Sequence, residues 1–196
     1  MTWQQTEPDK VLFDGDWHKV VQRMYRLPSG HEKAFDIVES KTNDASVGVV
    51  AVTEDGQAVI AEQFRPGPGI VMQEIVAGMV DPGEDPKTAA MRELQEETGY
   101  TADPDQMVYL GRYYRGPYQK FVSHYYFAPK VRLTSDQRLD DGEYIDVKLT
   151  EPAELLASAA DGRTTEAVGV LLARDHLERY KKQAASKTGK RGTIKS

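Results

Sequence analysis

The stretch GMVDPGEDPKTAAMRELQEETGY, residues 78–100, joins a turn-rich beginning to a helical second half. Asp85 is a favourable helix N-cap, and Pro86 suits the first helical position. Gly99 stands where a C-terminal stop belongs. The sequence therefore predicts a helix from about Pro86 to Thr98, and the main candidates for a chemical role lie on it.

Three carboxylates, Glu93, Glu96 and Glu97, lie within one turn of this predicted helix. They share one face, so each pair of like charges destabilises the helix by roughly a few tenths of a kcal/mol. The helix macrodipole also disfavours anions near the C-terminal end. A divalent cation such as Mg²⁺, which prefers hard oxygen ligands, would resolve this conflict. A solvated acidic face is the alternative that the spacing alone leaves open.

The rest of the chain contains several short apolar runs separated by turn signals, above all Pro28-Ser29-Gly30 and Asp55-Gly56. Strands are predicted at residues 11–13, 18–26, 33–39, 47–52, 58–64, 70–76, 108–114, 121–128 and 143–149, and further helices at 152–160 and 166–180. This order indicates an α+β or a layered α/β/α domain.

Composition narrows the class of protein. The chain has 196 residues, no cysteine and a net charge of −6. No apolar run approaches the ~20 residues of a membrane span, and the first residues do not resemble a secretory signal, so we expect a cytoplasmic protein. Residues 181–196 hold six basic and no acidic residues, which makes the remainder still more acidic. Nucleic-acid binding is therefore not expected, and the basic tail is interpreted as a solvated terminus.

The spacing of the fixed residues resembles the Nudix box at every defined position: Gly78, Glu84, Arg92, Glu93, Leu94, Glu96, Glu97, Gly99 and Tyr100. The box covers 23 residues, and the predicted strand order extends the resemblance over most of residues 45–180. It implies an α/β/α sandwich with a mixed sheet, preceded by a small antiparallel sheet. The implied divisions are an N-terminal sheet region at 1–44, which often mediates dimerisation, a Nudix domain at 45–180 and a basic tail at 181–196.

The resemblance also implies roles for the charged residues of the box. Mg²⁺, or Mn²⁺ in its place, would be bound by the carboxylates of Glu93, Glu96 and Glu97 and by the carbonyl of Ala77. Arg92 would pair with Glu84 and orient the carboxylates. Glu97 and Arg92 are accordingly predicted to be catalytic.

The sequences flanking the box are similar to the ADP-ribose pyrophosphatase branch, which includes nucleotide-sugar hydrolases. In that branch, an arginine that corresponds to Arg65 contacts the phosphates, and a glutamate that corresponds to Glu74 lies near the site. An acidic loop distant from the box supplies a carboxylate, for which Glu143 and Asp141 are the candidates, with Glu143 favoured. A non-catalytic acidic turn remains the alternative.

Two aromatic residues complete the predicted site. Trp17 is a candidate for stacking on a base, although a packing role is equally compatible with its position. Tyr118 is a candidate sugar or phosphate contact in the segment 115–120, where the branch often has a Ser-Pro-Gly loop. This departure leaves open which nucleotide sugar is bound.

The predicted function is Mg²⁺-dependent hydrolysis of the pyrophosphate bond of ADP-ribose or a related nucleoside diphosphate sugar by a homodimer. Two alternatives remain open at this point. One is a Nudix hydrolase that acts on nucleoside triphosphates, dinucleoside polyphosphates or capped RNA. The other is a non-catalytic module that senses a nucleotide.

Overall fold

The predicted helix forms over Pro86–Thr98 (α1) and packs on a large sheet. The structure is a computed structural model that describes residues 2–180, and the predicted tail at 181–196 lies outside this range. The strands are β1 Gln4–Gln5, β2 Lys10–Asp14, β3 His18–Arg26, β4 Glu32–Ser40, β5 Ala45–Thr53, β6 Ala58–Arg65, β7 Ile70–Glu74, β8 Val76–Met79, β9 Tyr100–Thr101, β10 Val108–Tyr114, β11 Gln119–Lys120, β12 Val122–Leu133 and β13 Asp146–Thr150. The other helices are α2 Pro152–Ala160, α3 Ala167–Leu172 and a last segment at 174–180.

Side-chain chemistry explains where α1 begins and ends. The carboxylate of Asp85 accepts hydrogen bonds from the backbone N–H groups two and three residues later, at 3.0 and 3.2 Å, and Pro86 follows it. Gly99 adopts a left-handed conformation with φ of 73°. A Cβ on this glycine would lie 2.1 Å from the carbonyl oxygen of Ser135, so both the conformation and the space require glycine.

The large sheet has eight strands, and five of them follow the order β10-β12-β5-β6-β13. β7, β8 and β9 extend it by pairing with β6, β5 and β12, respectively. β5 and β12 are parallel, whereas the other pairs in this sheet are antiparallel. The sheet is therefore mixed. All residues of β5 after Ala45 are buried, since both faces of this central strand are covered.

Two clusters of buried apolar side chains lie on the two faces of this sheet. On one face, Leu94 of α1 packs with a cluster that includes Val49. On the other face, Leu155 of α2 and Val170 of α3 pack with a cluster that includes Val50. Val49 and Val50 are neighbours in β5 and point in opposite directions, as adjacent strand residues do. The predicted fold class, an α/β/α sandwich with a mixed sheet, is confirmed.

A second, smaller sheet lies near the N-terminus, as predicted. It contains β1, β3, β4 and β11 in that order, and β2 also pairs with β3. Four of its strands are antiparallel to their neighbours, but β11 joins β4 in parallel. Because β11 comes from the segment after β10, the small sheet is tied to the main domain. The main sheet begins at Ala45, and the boundary after residue 44 stays a prediction.

Two predicted strands differ in the structure. The strand predicted at 70–76 is two strands, because the chain changes partner from β6 to β5 around the buried Ile75. The strand predicted at 143–149 starts only at Asp146, so Glu143 lies in the preceding loop. The second difference matters for function, since a loop can bring a side chain over the ends of other elements.

The C-terminal helix also differs from its prediction. The helix predicted at 166–180 is interrupted by a turn at Ala173. Val170, Ala173 and Leu177 nevertheless belong to one buried cluster, so both parts cover the same face of the sheet. Within residues 2–180, no helix is long and apolar enough to cross a membrane.

Candidate active site

The acidic half of α1 faces the backbone of β8. Glu97 is only 7% exposed, and its Oε2 accepts a hydrogen bond from the Ala77 N–H at 3.3 Å. A Cβ on Gly78 would lie 1.9 Å from the carboxylate carbon of Glu93. The carboxylate of Glu93 therefore occupies the space that a side chain at position 78 would need. Two of the three predicted ligand carboxylates thus lie against the backbone of β8.

Arg92 is the centre of an ion-pair network. Its Nε and Nη2 donate to the two carboxylate oxygens of Glu84 at 3.1 and 3.0 Å. Its Nη1 donates to Glu93 at 2.8 Å and to Glu96 at 3.1 Å. Nη2 also donates to the Met79 carbonyl at 3.0 Å. A guanidinium has five N–H donors, and these contacts account for all of them. Arg92 therefore positions carboxylates and has no donor left for a substrate.

Two of the carboxylates at this end of α1, those of Glu97 and Glu93, have raised pKa values. Burial, together with the negative charges of Glu93 and Glu143, raises the pKa of Glu97 to about 8. Burial also raises the pKa of Glu93, although the Arg92 guanidinium opposes this effect. A cation bound beside these groups would favour their ionised forms. Proton release and metal binding are consequently coupled here.

The oxygen donors at this site fit a divalent cation. The carboxylates of Glu93, Glu96 and Glu97 and the Ala77 carbonyl are the hard ligands that Mg²⁺ and Mn²⁺ prefer. In the described residues, no three acidic or histidine side chains converge closely enough to form a ready-made metal site. Glu93 and Glu96 are instead turned toward Arg92. Metal binding therefore requires them to exchange part of this contact for a bond to the cation.

The loop between β12 and β13 is fastened to the end of α1. The side chain of Gln137 donates to the Glu97 carbonyl at 2.7 Å, and the backbone N–H of Arg138 donates to the Glu96 carbonyl at 2.8 Å. These bonds satisfy carbonyls that have no partner within the helix. They also hold the loop, and with it Glu143, beside the acidic cluster.

The two acidic candidates in this loop occupy different environments. Glu143 lines the cleft, and its Oε2 accepts a hydrogen bond from the Asp140 N–H at 3.1 Å. Its charge contributes to the raised pKa values of Glu93 and Glu97. Asp141 is exposed and does not line the cleft. The geometry favours Glu143 as the candidate base.

Arg65 and Glu74 form a bidentate ion pair beside the same cleft. The Nε of Arg65 donates to one Glu74 oxygen at 2.5 Å, and its Nη2 donates to the other. The Glu74 side chain is 3% exposed, whereas that of Arg65 is 37% exposed. The Nη1 group of Arg65 has no partner among residues 2–180. It is therefore available to an anion while Glu74 holds the guanidinium in place.

One cleft of about 840 Å³ is lined by Arg65, Arg92 and Glu143 together with the carboxylates of Glu93, Glu96 and Glu97. The cleft also contains Arg115 and Glu166, which the sequence analysis assigned to no role. The Nη2 of Arg115 donates to Glu166 at 3.2 Å across 51 positions of the sequence. No local spacing could reveal such a pair. The only sequence signal was the basic and aromatic character of the loop that starts at Arg115.

Trp17 and Tyr118 lie outside this cleft. Trp17 is 75% exposed and lines a neighbouring pocket of about 330 Å³, which shares His18 and Arg115 with the cleft. Tyr118 lines an aromatic pocket of about 510 Å³, where its ring stacks on Phe35 with centroids 6.2 Å apart. Their contact with substrate stays a prediction. For Tyr118, it requires a substrate that extends beyond the acidic cleft.

The arrangement of cleft, sheet and acidic helix agrees with a family match. The NUDIX domain family matches residues 42–175. This match covers more than half of the sequence, so the chain belongs to the NUDIX family.

Individual relatives extend the similarity beyond that domain. The chain is 29% identical to ADP-ribose pyrophosphatase of Bacillus subtilis (strain 168), over 91% of this chain and 97% of the relative. It is 31% identical to the methanol dehydrogenase activator of Bacillus methanolicus, over 74% and 76%. GDP-mannose pyrophosphatase of Yersinia pestis (strain Pestoides F) is 29% identical, over 82% and 85%.

A solved structure supports the same fold. The crystal structure of an ADP compounds hydrolase superposes with a TM-score of 0.71 over 89% of this chain and 97% of that chain, at 19% identity. At this level of identity, the similarity shows the fold alone. With the family match and the relatives, it confirms the predicted family, the fold class and an enzyme of the Nudix pyrophosphatase class.

Proposed function

We propose that this protein hydrolyses the pyrophosphate bond of ADP-ribose or a related nucleoside diphosphate sugar. The products are a nucleoside monophosphate and a sugar phosphate. One observation carries this proposal: the same cleft is lined by the acidic end of α1 and by arginines that keep donors without a partner among residues 2–180. A diphosphate is an anion that such arginines bind well and that a metal ion among the carboxylates would neutralise. The names of the relatives from B. subtilis and Y. pestis support this substrate class.

Mg²⁺, with Mn²⁺ as a substitute, is the proposed cofactor. Its protein ligands would be the carboxylates of Glu93, Glu96 and Glu97 and the carbonyl of Ala77. When bound, the cation neutralises the charge of the diphosphate and lowers the pKa of a bound water. Arg92 keeps the carboxylates of Glu93 and Glu96 within reach of each other through its ion pairs.

The protein itself contributes substrate binding and proton transfer. Arg65 donates a hydrogen bond from its Nη1 to a phosphate oxygen, and Glu74 fixes the orientation of that donor. Glu143 accepts the proton of the attacking water, since its side chain lines the cleft and its charge acts on Glu93 and Glu97. A carboxylate of this kind acts as a base only if it remains ionised, which a nearby cation favours.

The test is a panel of phosphate compounds incubated with the protein and Mg²⁺, with the products identified. The panel contains ADP-ribose, ADP-glucose, GDP-mannose, NADH, dinucleoside polyphosphates, capped RNA and nucleoside triphosphates. We expect AMP and ribose 5-phosphate from ADP-ribose. The double variant Glu96→Gln/Glu97→Gln is expected to lose at least ~10³-fold in kcat, because removing even one group that stabilises developing charge costs ~10²–10³-fold. Release of inorganic pyrophosphate from triphosphates alone, or full activity of the double variant, would contradict the proposal.

The predicted homodimer is also a proposal. β2 is exposed along its whole length and carries the apolar run Val11, Leu12 and Phe13 at an edge of the small sheet. Exposed apolar edge strands favour pairing with another chain. A solution mass that corresponds to a single chain would contradict it. The cytoplasmic location and the lack of nucleic-acid binding stay predictions from composition.

A further inference from the structure

Arg115 lies where the acidic cleft meets the pocket around Trp17, and it lines both cavities. Its guanidinium carbon is 4.6 Å from the centre of the Phe121 ring. Its Nε donates to the Ser123 hydroxyl at 3.2 Å, and its Nη2 donates to Glu166 at 3.2 Å. An arginine held by a ring, a hydroxyl and a carboxylate has one defined orientation, although part of its side chain remains exposed.

Glu166 is itself fixed in place. Its second oxygen accepts a hydrogen bond from the Tyr125 hydroxyl at 2.6 Å. The Tyr125 ring is confined between two glycines, since a Cβ on Gly48 or Gly169 would lie 2.7 or 2.5 Å from ring atoms. The ring therefore has little freedom. The two glycines thus confine Tyr125, Tyr125 holds Glu166, and Glu166 holds the guanidinium of Arg115.

The donors of Arg115 are only partly used. Nε binds Ser123, and Nη2 binds Glu166 and, at 3.5 Å, the Ser46 hydroxyl. Its Nη1 group makes no hydrogen bond within the described part of the chain. This differs from Arg92, whose five donors are all engaged. Arg115 can therefore bind an oxyanion in the cleft without releasing Glu166.

The pocket on the far side of Arg115 suits a compact group of mixed polarity. It holds about 330 Å³ and combines the rings of Trp17 and Phe121 with the hydroxyls of Ser40 and Thr42. Rings of this kind offer stacking surfaces, and hydroxyls offer hydrogen bonds to sugar oxygens. A sugar or nucleoside attached to a phosphate in the cleft would enter this pocket past Arg115.

We propose that Arg115 is a specificity-determining residue. Its Nη1 binds the phosphate nearer to the Trp17 pocket and so directs the group attached to that phosphate into the pocket. Glu166 is a positioning residue, which acts by holding Arg115. The identity of the ligand as a nucleoside diphosphate sugar rests on the proposed function, whereas the binding of a diphosphate by Arg115 can be tested separately.

The experiment compares four variants of the full chain in Mg²⁺-dependent hydrolysis of ADP-ribose: Arg115→Gln, Arg115→Lys, Glu166→Gln and Arg112→Gln. Arg112 is the matched control, because it is an exposed arginine of β10, three residues before Arg115, and lines neither cavity. We expect Arg115→Gln to raise KM by ~10–100-fold, the effect of losing a hydrogen bond to a charged group, with kcat within ~3-fold of the parent. Arg115→Lys and Glu166→Gln should raise KM less, and Arg112→Gln should not change it.

Several outcomes would overturn the inference. An unchanged KM for Arg115→Gln would do so, as would the same KM change in Arg112→Gln. A loss of kcat without a change in KM in Glu166→Gln would show that Glu166 acts directly. If the parent protein cleaves no diphosphate sugar, the proposed function fails, and calorimetric binding of ADP with Mg²⁺ then tests Arg115 alone. Weaker ADP binding by Arg115→Gln than by Arg112→Gln supports the inference, and equal binding overturns it.

Discussion

Two regions of the cleft differ in how completely their polar groups are used. Around α1, all five N–H donors of Arg92 form hydrogen bonds with carboxylates and a carbonyl. Residues of the loop between β12 and β13 cap the end of the helix. Around Arg65 and Arg115, each guanidinium is anchored by a buried or half-buried carboxylate but keeps Nη1 unpartnered within residues 2–180. The first region holds its own carboxylates in place. The second region has N–H donors available to bind a ligand.

This difference separates two tasks of the proposed enzyme. Groups that are fully engaged can position the carboxylates of the reaction centre, because they have no donor left to bind the substrate itself. Groups that keep free donors can bind a substrate and choose among its attached groups. Changes near α1 should therefore act on kcat, and changes at Arg65 or Arg115 should act mainly on KM.

Glu143 provides the largest expected effect and tests the first half of this comparison. We expect Glu143→Gln to lower kcat for ADP-ribose by ~10²–10⁴-fold, the range for removal of a general base, with KM little changed. The carboxamide keeps the size of the side chain but cannot accept the proton. Steady-state kinetics across a pH series provides the measurement.

Asp141 is the comparison within the same loop. Asp141 is exposed and does not line the cleft. The kcat of Asp141→Asn should therefore remain within ~2-fold of the parent value, since surface substitutions usually have small effects. If Asp141→Asn loses kcat and Glu143→Gln keeps it, the base is Asp141 and the loop has a different arrangement during turnover. If neither variant changes kcat, neither Asp141 nor Glu143 takes part in proton transfer.

Arg92 and Arg65, which differ in how many of their N–H donors are engaged, give the next largest effects. Lysine retains the charge but not the planar fork that binds two carboxylate oxygens at once. Arg92→Lys should therefore lower kcat and Mg²⁺ affinity by ~10–100-fold, as loss of a residue that orients metal ligands does. Arg65→Lys should instead raise KM by ~10-fold, the effect of a lost charged hydrogen bond, with a smaller change in kcat.

Titration with Mg²⁺ separates these two results. The Mg²⁺ concentration for half-maximal rate should rise in Arg92→Lys and stay near the parent value in Arg65→Lys. The proposed division between the two regions is wrong if both variants change the same kinetic parameter to a similar degree.

Sequence reasoning succeeded where the controlling interactions are local. The limits of α1 follow from Asp85 and Gly99, whose effects extend over one turn, and the structure places the helix at the predicted residues. The order of the elements indicated an α+β or a layered α/β/α domain, and the resemblance to the Nudix family implied the mixed sheet. Local patterns also placed Glu93, Glu96 and Glu97 together, because their spacing on a helix is fixed by its geometry.

The features that sequence reasoning missed depend on contacts between segments that are distant in the chain. Glu143 was predicted to begin a strand, but the loop that carries it is held by bonds from Gln137 to carbonyls of α1 and of Ile145. Arg115 and Glu166 meet only because strand β10 and helix α3 pack around Tyr125. Such pairs depend on register and packing, which no short window of sequence contains.

The last expected effect is at Glu97 and concerns stability rather than turnover. Its pKa is raised to about 8 in the folded protein, against 4.5 for an ordinary glutamate side chain. Between these pH values the unfolded chain releases a proton that the folded protein retains. Stability therefore falls as pH rises from about 4.5 to about 8, by up to ~1.4 kcal/mol per pH unit from this group, and the slope ends above that window.

The measurement is urea unfolding of chelator-treated protein at several pH values, for the parent and for Glu97→Gln. Glutamine cannot ionise, so the variant should lack this part of the slope, and the difference between the two proteins gives the contribution of Glu97 together with its effect on the neighbouring carboxylates. Saturating Mg²⁺ should stabilise the parent most at high pH, because binding to the ionised carboxylates is then not opposed by a proton. Equal slopes in the two proteins would mean that Glu97 is already ionised without metal. The acidic region would then be less tightly constrained by burial than its contacts with β8 indicate.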